Sequence, residues 1–253
     1  MNVTVWVAGR GAGDQRGIAA DMTIPAALLL LCNVTFSWGL EIPGSADLRE
    51  DVAPQEVHFE SLDYRNVLRW EHHGQSLGNP QYFVQYKIYG EKHWTNATHC
   101  QGIRELHCDL SQEMSELREW YYARVQAVLH GAQSSWTLSP RFNSHWETSV
   151  SPPKVKMHVT EQGIMVQLRP PSSPYRRRNG SRIAVRKLQR LLYRVYLTHN
   201  GIVQEQHDLE GCVRKVLITD LKRRTTYCLQ AETHILLLGR RSGKSQAVCV
   251  TTP

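Results

Sequence analysis

Along most of the chain apolar residues alternate with polar ones at a period of two, the spacing of a strand with one face buried. The clearest case is Tyr82–Tyr89, where Tyr82, Val84, Tyr86 and Ile88 share one face. Gln55–Leu62 sets Val57 and Phe59 on one side, and Val67–Trp70, Tyr121–Val128 and Trp136–Phe142 complete a first set of predicted strands. A second set follows: Val155–Thr160, Ile164–Leu168, Leu191–Leu197, Val203–Leu209, Val213–Thr219, Tyr227–Thr233 and Gln246–Thr251. Between the sets, Ser151-Pro152-Pro153 interrupts any strand and reads as an interdomain joint. No segment has the pattern of a long amphipathic helix. The reading is an all-β chain of two tandem β-sandwich domains, 52–149 and 152–253, each of about 100 residues.

Two tyrosines strengthen it. Leu221 stands six residues before Tyr227, and in the first half Tyr121 precedes Arg124-Val125-Gln126-Ala127. Both resemble a tyrosine corner, in which the phenol hydroxyl bonds back to the chain arching into a sandwich strand.

The N-terminal segment reads differently. Ile24–Trp38 is apolar but too short, and too polar in its second half, to span a bilayer. Small residues follow at Ser37–Gly39 and Gly44–Ala46, the layout of a secretory signal and its cleavage site. Residues 1–46 are therefore expected to be leader and signal peptide, with translation beginning at Met1 or Met22. No later run is apolar and long enough to span a membrane, so a complete chain of this sequence is expected to be soluble and secreted.

Composition agrees with a folded extracellular protein: 253 residues, 41% hydrophobic, with seven Trp and ten Tyr. The net charge of +7 favours anionic partners in general. Beyond Cys32 in the signal, Cys100 and Cys108 are close together, and Cys228 and Cys249 flank a predicted hairpin, so two local disulfides are expected. Cys212 has no evident partner and is expected to be buried and inert rather than to link two chains. No His or Cys cluster has zinc-like spacing, so neither metal nor cofactor is expected. The sequons at Asn96 and Asn179 predict glycosylation on exposed loops.

The residues resemble a known family at this point. A single first-domain pair, Cys100 and Cys108, with Cys228 and Cys249 closing the second, is similar to the class II cytokine receptors. So are Tyr82–Gly90, Arg141-Phe142 followed by Trp146-Glu147-Thr148, Pro152-Pro153 and Leu191–Val195. The resemblance implies two fibronectin-type-III-like domains that hold a helical class II cytokine at the elbow between them. Carried over by position, it points first to Tyr89, Gly90, Glu91 and Lys92, where a Tyr at a strand end projects a large amphipathic ring from a rigid base. Further candidates are His130, Gly131 and Gln133, the joint residues Trp146 and Glu147, and second-domain loops at Pro174, Tyr175, Leu236, Leu237, Leu238, Gly239 and Arg240.

One departure from the family is a basic run, Arg176, Arg177, Arg178 and Arg182, continuing through Arg186 and Lys187 with no acidic residue. Such a run is either a solvated surface or a contact for heparan sulfate. Gly239 to Ser245 superficially resembles a phosphate-binding loop, but has three residues between its glycines where four are needed, and a predicted strand after it. No nucleophile elbow, paired carboxylates or HExxH helix points to an enzyme. The expected function is a secreted decoy receptor; the alternatives are the ectodomain of a membrane receptor and a matrix-binding module.

Overall fold

The computed structural model describes residues 52–72 and 78–253; the expected leader and signal lie outside the described residues. In the first domain, β1 (Gln55–Leu62), β2 (Arg65–Glu71) and β5 (His107–Asp109) form one antiparallel sheet. The other runs in the order β4 (Thr95–Ile103), β3 (Gln81–Ile88), β6 (Tyr121–Leu129) and β7 (Ala132–Gln133), with β8 (Thr137–Leu138) also on β6. The alternating positions read from sequence face inward: Val84, Ala123, Val125 and Ala127 are fully buried against Leu68, Trp70 and Leu110. The Trp70 and Tyr82 rings lie 5.4 Å apart, within the range of favourable aromatic pairing. Cys100–Cys108 ties β4 to β5 and so joins the edges of the two sheets.

The second domain repeats the plan. One sheet is β9 (Lys154–Thr160), β10 (Gly163–Arg169) and β15 (Lys215–Ile218). The other is β14 (Ile202–Glu210), β13 (Leu191–His199), β16 (Thr226–Ile235) and β17 (Arg240–Arg241), with β18 (Val248–Thr251) on β16. Cys228 and Cys249 are direct cross-strand partners and form the second disulfide. A small hairpin of β11 (Ser172–Arg176) and β12 (Arg182–Ala184) was read from sequence as loop.

Both tyrosine corners form: the Tyr121 hydroxyl donates to the Glu116 carbonyl at 3.4 Å, and the Lys222 N–H donates to the Tyr227 hydroxyl at 3.1 Å. Two expectations are corrected. The predicted strand Trp136–Phe142 shrinks to Thr137–Leu138, because Pro140 has no N–H and serine hydroxyls replace the missing ladder. Ser134 and Ser139, both buried, accept the N–H groups of Ala127 and Ala123 at 2.9 and 3.1 Å. In the second domain Ser245 and Ser242 do the same for Ala231 and Thr233, at 3.0 and 2.9 Å. Cys212, expected to be buried, is exposed: Gly211 packs its backbone against Leu191, which turns the next residue outward.

A hairpin turn joins the domains. Asp63 and Tyr64, between β1 and β2, both take positive φ, +54° and +69°. Successive positive φ values suit a tight hairpin but normally call for Asn and Gly, so this turn is held by its surroundings. The Tyr64 ring is fully buried, and it belongs to the second domain's core with Val150, Ile164, Leu191 and Tyr193. Asp63 accepts the Ser151 N–H at 2.9 Å and its hydroxyl as well, and the Asp63 N–H donates to the Ser149 carbonyl. The Tyr64 N–H donates to the Thr148 hydroxyl at 3.0 Å. The linker is thus bonded along its length to a turn of the domain it leaves.

Tyr64→Ala leaves a ring-sized void in the second core and is expected to cost about 3 kcal/mol in urea unfolding; a loss under about 1 kcal/mol would mean that the ring does not hold the domains together. Burial raises the Asp63 carboxyl above its ordinary value, opposed by the Ser151 hydrogen bonds. A carboxyl so raised favours the folded state at low pH, a contribution lost as pH rises through its folded value. Wild type is therefore expected to lose stability relative to Asp63→Asn as pH rises above about 4, the ordinary carboxyl value, which paired denaturation curves measure.

Candidate functional site

Tyr89 is the first residue beyond β3, not its last as the alternation suggested. Its N–H donates to the Trp120 carbonyl at 2.6 Å, and the Glu91 N–H closes the turn onto the Ile88 carbonyl at 3.1 Å. Gly90 sits at φ +95°, a conformation that glycine takes without strain. The Tyr89 ring is 58% exposed yet has fixed neighbours: Tyr122 at 6.1 Å and the Arg141 guanidinium at 5.5 Å. Arg141 lies also over Trp120 at 4.3 Å, so the cation stands between two rings. Glu91 and Lys92 are exposed beside it.

A similar arrangement continues across the outer face of the same sheet. Arg124 lies 4.3 Å from the Trp94 ring and 4.4 Å from Trp136, and Gln85 Oε1 accepts from its guanidinium at 2.8 and 2.6 Å. Lys87 also approaches the Trp94 ring, at 4.9 Å. Each stacked cation limits the motion of the rings beside it, and Tyr89 stands at one end of this supported surface.

The chain from Phe142 leads to the joint. The residue pair Phe142 and Tyr121 exchanges two backbone hydrogen bonds, after which α1 (Ser144–Glu147) begins. Asn143 caps it: the side-chain oxygen accepts from the His145 and Trp146 N–H groups at 2.8 and 3.0 Å. The Glu147 carboxylate accepts the Asn143 N–H at 2.8 Å, so this predicted contact residue also serves as a reciprocal cap. Trp146 is 45% exposed on this anchored turn.

Second-domain candidates divide in the same way. Tyr175 is partly buried, its hydroxyl donating to the Met114 carbonyl at 3.3 Å and its ring meeting Tyr64 edge-on. Burial raises its phenol well above the ordinary range. Pro174 lines a groove with Leu62 and Arg65. Arg240 donates to the Thr148 carbonyl at 3.1 Å, which commits it to the joint, and Gln189 donates to the His145 carbonyl at 2.6 Å. Leu236 and Leu237 begin a 3-10 turn after β16 and are 48% and 67% exposed. Leu238 packs partly on the second core, and Gly239 ends the turn at φ +61°.

The remaining candidates do not join this group. Along β6 Tyr121 pairs with Ile88 and Val128 with Gln81. His130 and Gly131 form the turn after it, and Gln133 pairs with Val128. All three therefore lie at the end of the sheet opposite Tyr89. Sequence offered no means of choosing, since a glycine-bearing turn marks each end. Conversely Asp63, Tyr64, Gln189 and Trp120 were missed, because their roles arise from contacts with residues distant in sequence. Asn96 lies on β4 rather than in a loop, exposed and accepting from Gln85, whereas Asn179 is exposed in the β11–β12 turn.

Comparison with known proteins adds to this geometry. Residues 22–136 match the tissue factor family, and residues 148–253 match the interferon-alpha/beta receptor fibronectin type III family. The interleukin-22 receptor subunit alpha-2 of Homo sapiens is 33% identical over 245 residues, covering 84% of this chain and 93% of that protein. The protein of that name from Mus musculus is 38% identical over 207 residues, covering 81% of this chain and 90% of that protein. Among solved structures, the chicken interferon gamma receptor alpha chain has a TM-score of 0.61 at 21% identity, covering 79% of this chain and 98% of that one. That likeness is one of fold.

A Cβ at residue 90 would meet nothing within 4 Å, so Gly90→Ala tests backbone strain alone. It is expected to lower stability by about 1 kcal/mol and to loosen the Tyr89 turn, seen as faster amide exchange at Glu91. Unchanged stability and exchange would show that the turn does not depend on its glycine.

Proposed function

Because the chain belongs to the class II cytokine receptor family, we propose that it is a secreted binding protein that captures a helical class II cytokine, interleukin-22, at the elbow. The observation that carries this reading is a set of exposed apolar side chains on braced supports at the junction: Tyr89, Trp146, Leu236 and Leu237. Similarity to the interleukin-22 receptor subunit alpha-2 proteins over about nine-tenths of their length supports the choice of cytokine.

The mechanism follows from preorganisation. Large rings already held by Arg141, by the Asn143 cap and by backbone hydrogen bonds lose little freedom when a partner covers them. Tyr89 is the anchor, with Gly90, Glu91 and Lys92 around it. Trp146 and Leu236–Leu237 supply apolar area from the joint and the second domain. Glu147, Pro174, Tyr175, Leu238 and Arg240, all partly buried, and the exposed turn residue Gly239 act by fixing those elements. A cytokine bound in this way has its receptor-facing surface covered, which prevents assembly of a membrane signalling receptor. Among the described residues no helix is long and apolar enough to cross a membrane. The function requires neither catalysis nor a cofactor.

The test is binding of the secreted chain to immobilised interleukin-22. Tyr89→Ala is expected to weaken the affinity about 30-fold, equivalent to about 2 kcal/mol, chiefly through faster dissociation. His130→Ala, at the far end of the sheet, is expected to bind like wild type. Full affinity in the Tyr89 variant would move the anchor elsewhere, and no binding by wild type would remove the cytokine assignment.

A further inference from the structure

The positive charge of this chain is concentrated. Lys and Arg number 30 against 23 Asp and Glu, a net charge of +7. The cations Arg176, Arg177, Arg178, Arg182, Arg186, Lys187 and Arg190 equal that whole excess, and no acidic residue lies between Glu161 and Glu205.

The fold places these residues on one ridge. Arg176 and Arg182 are direct cross-strand partners in the β11–β12 hairpin. Its turn is closed by Arg177 N–H to the Ser181 carbonyl and Gly180 N–H to the Arg177 carbonyl, both at 2.9 Å. Arg176, Arg177, Arg178 and Arg182 are all exposed. The following 3-10 turn, Val185–Lys187, carries the charge onward. There Arg186, Lys187 and Arg190 line one recess of about 310 Å³, in which Glu210 is the sole acid. In the other direction, Arg182 lines a groove of about 870 Å³ with Arg65 and Arg69.

Cations beside the ridge have carboxylate partners. Arg65 and Arg69 are paired with Asp109 and Glu60, and Arg194 with Asp208. Among the described residues, none of the seven has a carboxylate within salt-bridge distance. Arg186 Nε is buried without a hydrogen-bond partner. Like charges directly opposite on a ladder destabilise it, so the Arg176–Arg182 pair is unfavourable until an anion lies across both.

We propose that this ridge of the second domain binds a sulfated polysaccharide, a linear polyanion laid along the hairpin and the turn that follows it. The hairpin is well suited to sulfate, since Arg presents paired N–H groups to an anion and the tip from Arg176 to Arg182 holds no apolar residue. That absence disfavours a lipid surface, which takes apolar side chains beneath its charges. Single-stranded nucleic acid needs aromatic platforms between cations, and Tyr175, the one aromatic residue in 170–192, is occupied by Tyr64 and the Met114 carbonyl. The inference does not require cytokine capture, and the free chain tests it.

Elution from immobilised heparin is compared with elution from a sulfopropyl resin, which reads net charge only. Wild type is expected to stay on heparin beyond about 0.3 M salt, where exposed charges are largely screened, and to leave the plain resin earlier. Arg177→Ser/Arg178→Ser/Arg182→Ser is expected to bind a heparin oligosaccharide at least about tenfold more weakly. Lys222→Ser/Arg223→Ser/Arg224→Ser removes equal charge at the opposite end of β16 and is expected to bind like wild type. Asn179→Gln, run alongside, removes any carbohydrate from the hairpin tip. Equal losses in both triple variants overturn the proposal. So does elution of wild type and Asn179→Gln below about 0.3 M salt, or tighter binding to phosphatidylserine vesicles or oligo-dT.

Discussion

The architecture depends on one turn of the first domain being finished by the core of the second. Asp63 and Tyr64 adopt left-handed backbone conformations that non-glycine residues avoid, and the surrounding contacts offset that strain. The buried ring, the Asp63–Ser151 hydrogen bonds and the pairing of Ser149 with Ser61 and Asp63 define the path of the linker. Gln189 and Arg240 then reach across to carbonyls on either side of that path. Most two-domain chains move about their linkers unless the interface is substantial and apolar. Here the interface includes a whole aromatic side chain embedded in the neighbouring core. Candidate contact residues from both domains therefore occupy one set of positions, which reduces the ordering needed on association.

Arginine has two opposed uses on this surface. Arg124 and Arg141 are stacked between rings, where each guanidinium satisfies and steadies its aromatic neighbours. Among the described residues, the arginines of the β11–β12 hairpin stack on no ring and have no carboxylate within salt-bridge distance. The first group organises the protein's own surface, whereas the second leaves its charge available to a partner. Sequence alone counts the two alike, and only their neighbours tell them apart.

Much of the fold was readable because a sandwich interior is one-sided. In β3, β6 and β13 the inward residues alternate strictly, and the predicted boundaries fall within two residues of the observed ones. The cysteine pairs and tyrosine corners depend on short separations and were equally accessible. Tyr64 was not readable, since its burial comes from a domain that starts about ninety residues later. The Tyr89 turn was readable, as a ring beside a glycine at a strand end. The position of His130 at the opposite end of the sheet was not readable, because alternation does not reveal which end of a strand faces the joint. The error at Cys212 had a local cause, a buried glycine that turns its neighbour outward.

The serine hydroxyls that complete the strands before each domain's end have a wider implication. A continuous ladder fixes every residue of an edge strand, so one insertion shifts the register of all that follows. Here the last segment is fastened at two points, Ser134 and Ser139 in one domain, Ser242 and Ser245 in the other. The two fastenings span different stretches of chain, five residues apart in the first domain and three in the second. The anchored residues of the central strand are four apart in the first domain and two in the second, so in each case the closing segment fits in one extra residue while the sheet it closes stays in place. Such an edge absorbs a one-residue irregularity through a side chain and leaves the framework of the sandwich undisturbed.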